Sequence, residues 1–310
     1  MSKLAFIFPG QGSQYVGMGK EISGTETGKR MFLRADAILG FSLSTLCFQG
    51  PEEELKQTYN TQPAVLTVSV IAYELLKARG LKPELVAGHS LGEYSALVAS
   101  GALSFEDALR LVRIRGRLMH EATKTAKGGM AAIVGLAATE VEEICRQAGG
   151  AGIVQAVNYN SPVQTVISGE QAGLDKAIEI AQARGAKRAL LLPVSAPFHS
   201  SLMDPVAEKF QPELEAAEIK DAGIPVVANI TARPETKADE IRQNLIRQVN
   251  GPVRWTDSVQ YMLSEGVDLL AEIGPGKVLT GLVKQINREV ACLPVESPAS
   301  IDSLIAATQP

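Results

Sequence analysis

The 310-residue sequence has few cysteines, few aromatic residues and no dense run of lysine and arginine. Its three cysteines, at positions 47, 145 and 292, give neither a disulfide framework nor a zinc-binding spacing, and they fit a reducing cytoplasm. A net charge of −4 without a basic stretch excludes the electrostatic footprint of nucleic-acid-binding proteins. The apolar run at Leu4–Phe8 is too short for a signal peptide or a membrane span.

What the sequence does contain is typical of a folded globular protein, with 45% hydrophobic and 21% charged residues. A chain of this length can bury a large core and divide into two lobes. Short apolar runs alternate with helical patterns, which predicts an α/β fold built on a mostly parallel sheet covered by helices.

Residues 83–101 are typical of a nucleophile elbow. The apolar run at 85–87 predicts a buried strand, the G-H-S-L-G at 88–92 predicts a tight turn, and 93–100 predict a helix. Such a turn leaves no room for a Cβ atom on either side of Ser90, so its hydroxyl projects beside the helix N-terminus, where N–H groups can stabilise an oxyanion. Ser90 is the candidate nucleophile. The alternative is a glycine-rich strand–helix turn without chemistry.

A second glycine-rich loop follows the first predicted strand, where residues 9–14 are P-G-Q-G-S-Q. Glycines at this position favour a backbone that approaches a ligand closely. The dinucleotide fingerprint G-x-G-x-x-G is not matched, because Tyr15 occupies the third glycine position, and no G-K-[ST] occurs, so we exclude a nucleotide site here. A turn that simply needs flexible glycines remains the alternative.

Arg115 interrupts the amphipathic pattern of another predicted helix. Ser104 is its candidate N-cap, with Asp107 three residues later, and the helix extends to about Glu121. At 100° per residue, Arg115 falls in the middle of the apolar arc. A buried arginine needs a partner, so either an internal carboxylate forms a structural salt bridge with it or it lines a pocket for an anionic ligand.

A serine nucleophile needs a base, and the chain has three histidines. His89 adjoins Ser90 and should point to the opposite side, as a packed residue. His120 lies on the polar arc of its helix, as a solvated residue. His199 follows a predicted strand and is the candidate base, with an isolated, hydrogen-bonded histidine as the alternative. No carboxylate between Ser90 and His199 ends a core strand, so we expect a backbone or amide carbonyl to orient the histidine.

Residues 127–195 predict a separate subdomain with the order β-α-β-β-α-β, which is the ferredoxin-like pattern. We therefore expect an α/β body at 1–126 and 196–310, an inserted α+β subdomain at 127–195, and a cleft between them. The tail from Pro294 has few apolar residues and is expected to be partly disordered.

Six short motifs follow one another along nearly the whole chain: F-P-G-Q-G-S-Q at 8–14, T-Q-P-A at 61–64, G-H-S-L-G-E at 88–93, R-x-R-G at 113–116, P-F-H-S at 197–200 and I-G-P-G at 273–276. Together they closely resemble the malonyl-CoA:acyl-carrier-protein transacylase family of type II fatty-acid synthesis. The resemblance implies a hydrolase-like parallel-sheet body with a ferredoxin-like insertion. It also implies that Ser90 is malonylated, that His199 acts as general base and then acid, and that the backbone N–H groups of Gln11 and Leu91 form the oxyanion hole.

The same resemblance implies two further site residues. Arg115 would bind the free malonyl carboxylate, and Gln248 would orient the catalytic histidine through a carbonyl. The sequence departs from the family at 251–253, which is G-P-V where the family has N-P-V. Phe198 resembles the residue of family members that accept malonyl groups and disfavour an α-methyl substituent.

The implied reaction moves malonyl from malonyl-CoA to the phosphopantetheine thiol of acyl carrier protein. It implies no metal and no bound cofactor, no nucleic acid or membrane partner, and a monomer. The alternatives are a trans-acting malonyl acyltransferase of a polyketide synthase, a serine hydrolase or thioesterase, and a non-catalytic carrier-docking subunit on the same fold.

Overall fold

The computed structural model describes residues 3–124, 127–194 and 196–308. In these ranges the chain forms ten strands and thirteen α-helices. The strands are β1 (Leu4–Phe8), β2 (Leu85–Gly88), β3 (Gly128–Val134), β4 (Val154–Ser161), β5 (Gln164–Glu170), β6 (Arg188–Leu191), β7 (Val226–Val227), β8 (Pro234–Glu235), β9 (Leu269–Ile273) and β10 (Ala291–Val295). The helices are α1 (Glu26–Leu39), α2 (Leu43–Gln49), α3 (Glu52–Leu55), α4 (Thr58–Ala78), α5 (Gly92–Ala99), α6 (Phe105–Ala122), α7 (Ala138–Ala148), α8 (Gln171–Ala183), α9 (Asp204–Ala216), α10 (Ala238–Gln248), α11 (Trp255–Ser264), α12 (Val278–Ile286) and α13 (Pro298–Thr308).

Six strands form the body sheet, in the order β10-β9-β1-β2-β7-β8. The first five are parallel, and β8 is antiparallel to β7. Strands β1, β2 and β9 are buried along their whole length, as their continuous apolar sequences require. Because the carboxyl ends of parallel strands meet at one edge, the loops after β1, β2 and β7 lie side by side, and they carry Gln11, Ser90 and Asn229.

The second sheet has four antiparallel strands in the order β4-β5-β3-β6. Helices α7 and α8 pack against each other and against this sheet. The chain order is β-α-β-β-α-β, so the predicted fold class is confirmed: a parallel-sheet body with a ferredoxin-like α+β subdomain. The predicted boundaries at 126/127 and 195/196 involve residues 126 and 195, which lie outside the described residues, and they stay a prediction.

The inserted subdomain is fixed to the body along β4. The backbone of Tyr159 donates to the carbonyl of Val253 at 2.9 Å, and the Val253 N–H donates to the carbonyl of Val157 at 2.8 Å. Met130 on β3 and Val166 on β5 belong to the main hydrophobic core rather than to the core of the subdomain. The two sheets therefore meet at a packed contact, and the cavity described below lies beside it.

Helix α6 begins where the sequence predicts. The hydroxyl of Ser104 accepts a hydrogen bond from the N–H of Asp107, which caps the helix. A Cβ atom on Gly116 would lie 2.7 Å from the Cα of Tyr59 in α4, so the absence of a side chain lets the two helices approach closely. This approach places Arg115 against α4 and the elbow.

The expectation of a partly disordered tail is wrong for the described residues. Val295 in β10 is buried against β9, and Ile301 and Leu304 in α13 are buried as well. The tail after Pro294 has few apolar residues, but two of them are three residues apart and share one helix face, which is enough to anchor a short helix.

Among the described residues, no single helix has the length and apolarity to cross a membrane. The bent pair of α1 and α2, with 117° between its members, meets the criteria of length and composition together.

Candidate active site

The loop after β2 forms the predicted tight turn. A Cβ atom on Gly88 would lie 1.9 Å from the backbone carbon of Gly92, and one on Gly92 would lie 2.1 Å from the carbonyl oxygen of Phe8. Ser90 has a φ of 51°, in the left-handed region. This conformation costs an L-residue about 1–2 kcal/mol, so surrounding contacts have to hold it.

Ser90 and His199 form a hydrogen-bonded pair. The Ser90 Oγ lies 2.8 Å from His199 Nε2, and His199 Nδ1 lies 2.9 Å from the backbone oxygen of Gln248 and 3.2 Å from that of Gly251. Since a carbonyl oxygen only accepts, Nδ1 carries the proton and Nε2 is free to accept one from the serine. The departure from the family at Gly251 therefore keeps a carbonyl within reach of the histidine.

The imidazole of His199 is 5% exposed. Burial, and then the positive charge of Arg115, lower its pKa from 6.5 to about 3. The histidine is therefore neutral near pH 7 and can accept a proton.

Arg115 is buried in the site, with 1% of its surface exposed. Its Nη1 donates to Gln62 Oε1 at 2.9 Å, and its Nη2 donates to Gln248 Oε1 at 3.1 Å and to Ser90 Oγ at 3.2 Å. Within the described ranges it forms no salt bridge, and its Nε has no partner. The interpretation as a structural salt bridge is therefore wrong for the described residues, and burial lowers the pKa of the guanidinium.

A cavity of about 130 Å³ lies between the elbow, helix α6 and the inserted subdomain. Arg115, Ser90 and His199 line it, with apolar walls from both lobes. The other lining residues are Gln11, Gln62, His89, Leu91, Met119, Met130, Asn158, Leu192, Val194 and Phe198.

Gln11 and Leu91 border this cavity. Neither backbone N–H donates a hydrogen bond to any residue that the structure describes. Two unpaired N–H groups beside a serine hydroxyl are what an oxyanion hole requires.

The two remaining histidines differ in their surroundings. His89 Nε2 lies 2.8 Å from Asn160 Oδ1, and its ring packs against Trp255, in agreement with the predicted packed residue, but the residue also lines the cavity beside Ser90 rather than pointing away from it. Burial lowers the pKa of His89. His120 is half-buried, with its ring edge-on to Tyr59 at 4.9 Å, so it is only partly solvated.

Two site residues were not predicted from the sequence. Glu93 is fully buried at the start of α5, and burial raises the pKa of its carboxyl. Asn229 is 1% exposed and hydrogen-bonds to the elbow. The sequence signal for Glu93 is one carboxylate in an otherwise apolar helix. For Asn229 the sequence contains no such signal.

Comparison with known proteins places the chain in a family. The family model for the acyl transferase domain matches residues 5–306. The malonyl CoA-acyl carrier protein transacylase of Bacillus subtilis (strain 168) is 49% identical over 98% of this chain and 97% of that protein. The structure of the acyl-carrier-protein S-malonyltransferase of Burkholderia pseudomallei 1710b covers 98% of this chain and 99% of its own, with a TM-score of 0.96 and 46% identity.

A second solved structure is a malonyl-transacylase in complex with its type II PKS acyl-carrier protein. It is 43% identical, with a TM-score of 0.96 over 99% of this chain and 100% of its own. The resemblance found in the six motifs is thus confirmed over nearly the full length of the chain. The chain belongs to the acyl transferase family, and within it to the malonyl CoA-acyl carrier protein transacylases.

Proposed function

We propose that this chain transfers a malonyl group from malonyl-CoA to the phosphopantetheine thiol of acyl carrier protein, in fatty-acid biosynthesis, by a ping-pong mechanism. The observation that carries the proposal is the position of Ser90 Oγ, 2.8 Å from a neutral histidine nitrogen and 3.2 Å from a guanidinium without a carboxylate partner. A nucleophile and an anion-binding group thus share one cavity, as transfer of a carboxylated acyl group requires.

In the first half-reaction Ser90 Oγ attacks the thioester carbonyl of malonyl-CoA while His199 Nε2 takes the serine proton. The carbonyl oxygen becomes an oxyanion that the backbone N–H groups of Gln11 and Leu91 stabilise. The C–S bond then breaks, and the CoA thiolate leaves with the proton from His199. The product is a malonyl ester of Ser90.

In the second half-reaction the carrier thiol gives its proton to His199 as its sulfur attacks the malonyl-serine carbonyl. The same oxyanion hole stabilises the second tetrahedral intermediate. The serine C–O bond breaks, and Ser90 recovers the proton from His199. Water must compete poorly with the tethered thiol, and the apolar walls of the narrow cavity between the lobes support its exclusion.

Substrate choice is assigned to two residues. Arg115 binds the malonyl carboxylate, because its Nε is unpaired and its other donors reach only neutral oxygens. Phe198 borders the cavity and restricts the space for an α-methyl group. A hydrophobic pocket discriminates one methyl group by about 1–3 kcal/mol, so the preference for malonyl over methylmalonyl is about 10- to 200-fold.

The proposed cycle uses no metal, bound cofactor, nucleic acid or membrane, and one chain supplies every residue of the site. We propose that the protein acts as a monomer in the cytoplasm. Because a similar protein was solved with a type II PKS carrier, transfer to purified fatty-acid and polyketide carriers should be compared directly. Faster transfer to the fatty-acid carrier supports the assigned pathway.

Mass spectrometry tests the reaction. Incubation with malonyl-CoA should give a malonyl adduct on Ser90, and addition of phosphopantetheinylated carrier should discharge it to malonyl-carrier. Ser90→Ala is the control and should form no adduct. A parent protein without an adduct contradicts the proposal, and an adduct lost to water as fast as to the carrier indicates a hydrolase.

A further inference from the structure

The side chain of Asn229 spans the nucleophile elbow. Its Oδ1 accepts a hydrogen bond from the Ser90 N–H at 2.6 Å, and its Nδ2 donates to the carbonyl oxygen of Gly88 at 2.6 Å. The residue follows β7, which pairs in parallel with β2, so the two strands end at the same edge of the sheet. One buried amide thus bonds to the backbone on both sides of His89, immediately before the strained Ser90.

These bonds decide which backbone N–H groups face the substrate. The Ser90 N–H is bonded to Asn229, and the Gly92 N–H is bonded to the carbonyl of His89 at 2.9 Å. The Leu91 N–H between them donates to no described residue. The amide of Asn229 therefore fixes Ser90 at a φ of 51° and leaves one elbow N–H available for an oxyanion.

Glu93 fixes Asn229 in turn. One carboxyl oxygen, Oε2, accepts from the Asn229 backbone N–H at 2.9 Å and from Gln248 Nε2 at 3.1 Å. The same Gln248 Nε2 also donates to the carbonyl of Ser90 at 3.0 Å. The nucleophile and the segment that orients His199 are thus joined through one buried carboxyl group.

We infer that Asn229 is a positioning residue for acyl transfer, which holds Ser90 in its reactive conformation and is itself held by Glu93. The inference rests on the proposed function for its physiological meaning. Asn229 need not touch the substrate, because it acts through the backbone of Ser90. Misplacement of a reacting group by about 1 Å costs about 100-fold in rate, which sets the expected size of the effect.

The first test compares Asn229→Ala with Asn60→Ala. Asn60 is also a buried amide with one donated and one accepted hydrogen bond, to Glu54 and from Arg113, but it does not contact the elbow. We expect Asn229→Ala to lower the rate of Ser90 malonylation about 100-fold with KM changed less than threefold. Asn60→Ala should leave both the malonylation rate and KM near those of the parent. Equal malonylation rates in the two variants contradict the inference.

Reaction with a neutral fluorophosphonate separates the inference from the proposed function, because this reagent reports Ser90 reactivity without malonyl-CoA. A similar loss of reactivity in Asn229→Ala, at a temperature where thermal melting shows both variants folded, supports the inference. A parent protein that reacts with the fluorophosphonate but is not malonylated contradicts the proposed function alone.

Asn229→Asp supplies a second test if the alanine variant does not fold. An ionised Asp can accept from the Ser90 N–H but repels the carbonyl of Gly88, whereas a protonated Asp can donate to it. The charged and titratable groups nearby are His89 in the elbow, Glu93 on α5, Arg115 on α6, His199, Glu235 on β8, and Arg254, whose backbone N–H donates to the Asn229 carbonyl. We expect the ratio of variant to parent fluorophosphonate rates to rise as the pH falls from 8 to 5. A ratio independent of pH contradicts the inferred role of the amide donor.

Discussion

Replacing Arg115 by alanine removes the positive charge from the cavity that contains Ser90. The guanidinium is 1% exposed, and in the described ranges no carboxylate forms a salt bridge with it, although the buried carboxyl of Glu93 partly offsets the lowering of its pKa by burial. Removing one partner of a buried, hydrogen-bonded charge pair costs about 2–5 kcal/mol. At 1.36 kcal/mol per tenfold, kcat/KM for malonyl transfer should fall about 30- to 5,000-fold. Acetyl-CoA has no carboxylate, so acetyl transfer should stay within about threefold of the parent or rise.

The matched control is Arg113→Ala. Arg113 lies two residues earlier on the same helix, is half-buried, and donates to the carbonyl of Tyr59 and to Asn60 rather than to the active site. Its loss should affect stability more than selectivity, with the ratio of malonyl to acetyl transfer unchanged. Both variants should be assayed with malonyl-CoA and acetyl-CoA and the same carrier protein. Equal losses for the two acyl groups in Arg115→Ala would refute the reasoning and make the arginine structural.

Arg115→Ala should also change the pH dependence of acetyl transfer. The charge of Arg115 is the second-largest cause of the low pKa of His199, after burial. Without it the pKa rises, so the fall in rate at acidic pH should begin at a higher pH than in the parent. An acidic limb that does not move shows that the arginine charge has no influence on the base.

Three other changes test separate parts of the site. Gln248→Leu removes the side-chain hydrogen bonds to the elbow but keeps the backbone carbonyl that orients His199. The rate of single-turnover malonylation should therefore fall about tenfold, whereas His199→Ala should lower it about 10²- to 10⁴-fold, and equal losses contradict this division of roles. Burial and then Glu93 raise the pKa of the Glu235 carboxyl from 4.5 to about 8, so the stability that this group contributes is present below pH 4.5 and is lost as the pH rises through about 8. Glu235→Gln should therefore flatten the pH dependence of the unfolding free energy, and an unchanged pH dependence in denaturant titrations contradicts this. Gly92→Ala places a Cβ atom 2.1 Å from a backbone oxygen and should destabilise the protein by about 3 kcal/mol and abolish Ser90 reactivity. Gly281→Ala, with open space around its Cβ atom, should stabilise the protein by about 0.5–1 kcal/mol, and similar melting temperatures for the two variants contradict the packing argument.

The sequence predicted those parts of the site whose chemistry is local. The elbow is encoded by two glycines around Ser90, and their close contacts in the structure are those that the turn requires. The burial of Arg115 follows from helical periodicity, because residues four apart face the same way. The order of strands and helices in the inserted subdomain could be predicted because each element has its own apolar pattern.

The unpredicted parts depend on long-range pairing. Asn229 reaches Ser90 only because β7 lies beside β2 in the body sheet, and the sequence of a strand does not specify which strand lies beside it. The contact between the Gln248 carbonyl and His199 was implied by the family resemblance and not by the residue itself, because a backbone carbonyl is not encoded by the residue type. The sequence also left open whether Arg115 had an internal carboxylate partner, which only the folded arrangement of α4, α6 and α10 could decide.

The most direct test of the account is a crystal structure of the protein with Ser90 malonylated. The account predicts that the free carboxylate of the malonyl group lies within hydrogen-bond distance, about 2.7–2.9 Å, of the Arg115 nitrogens, with the ester carbonyl oxygen facing the backbone N–H groups of Gln11 and Leu91. A carboxylate that points into solvent, or that pairs with another cation, would contradict it.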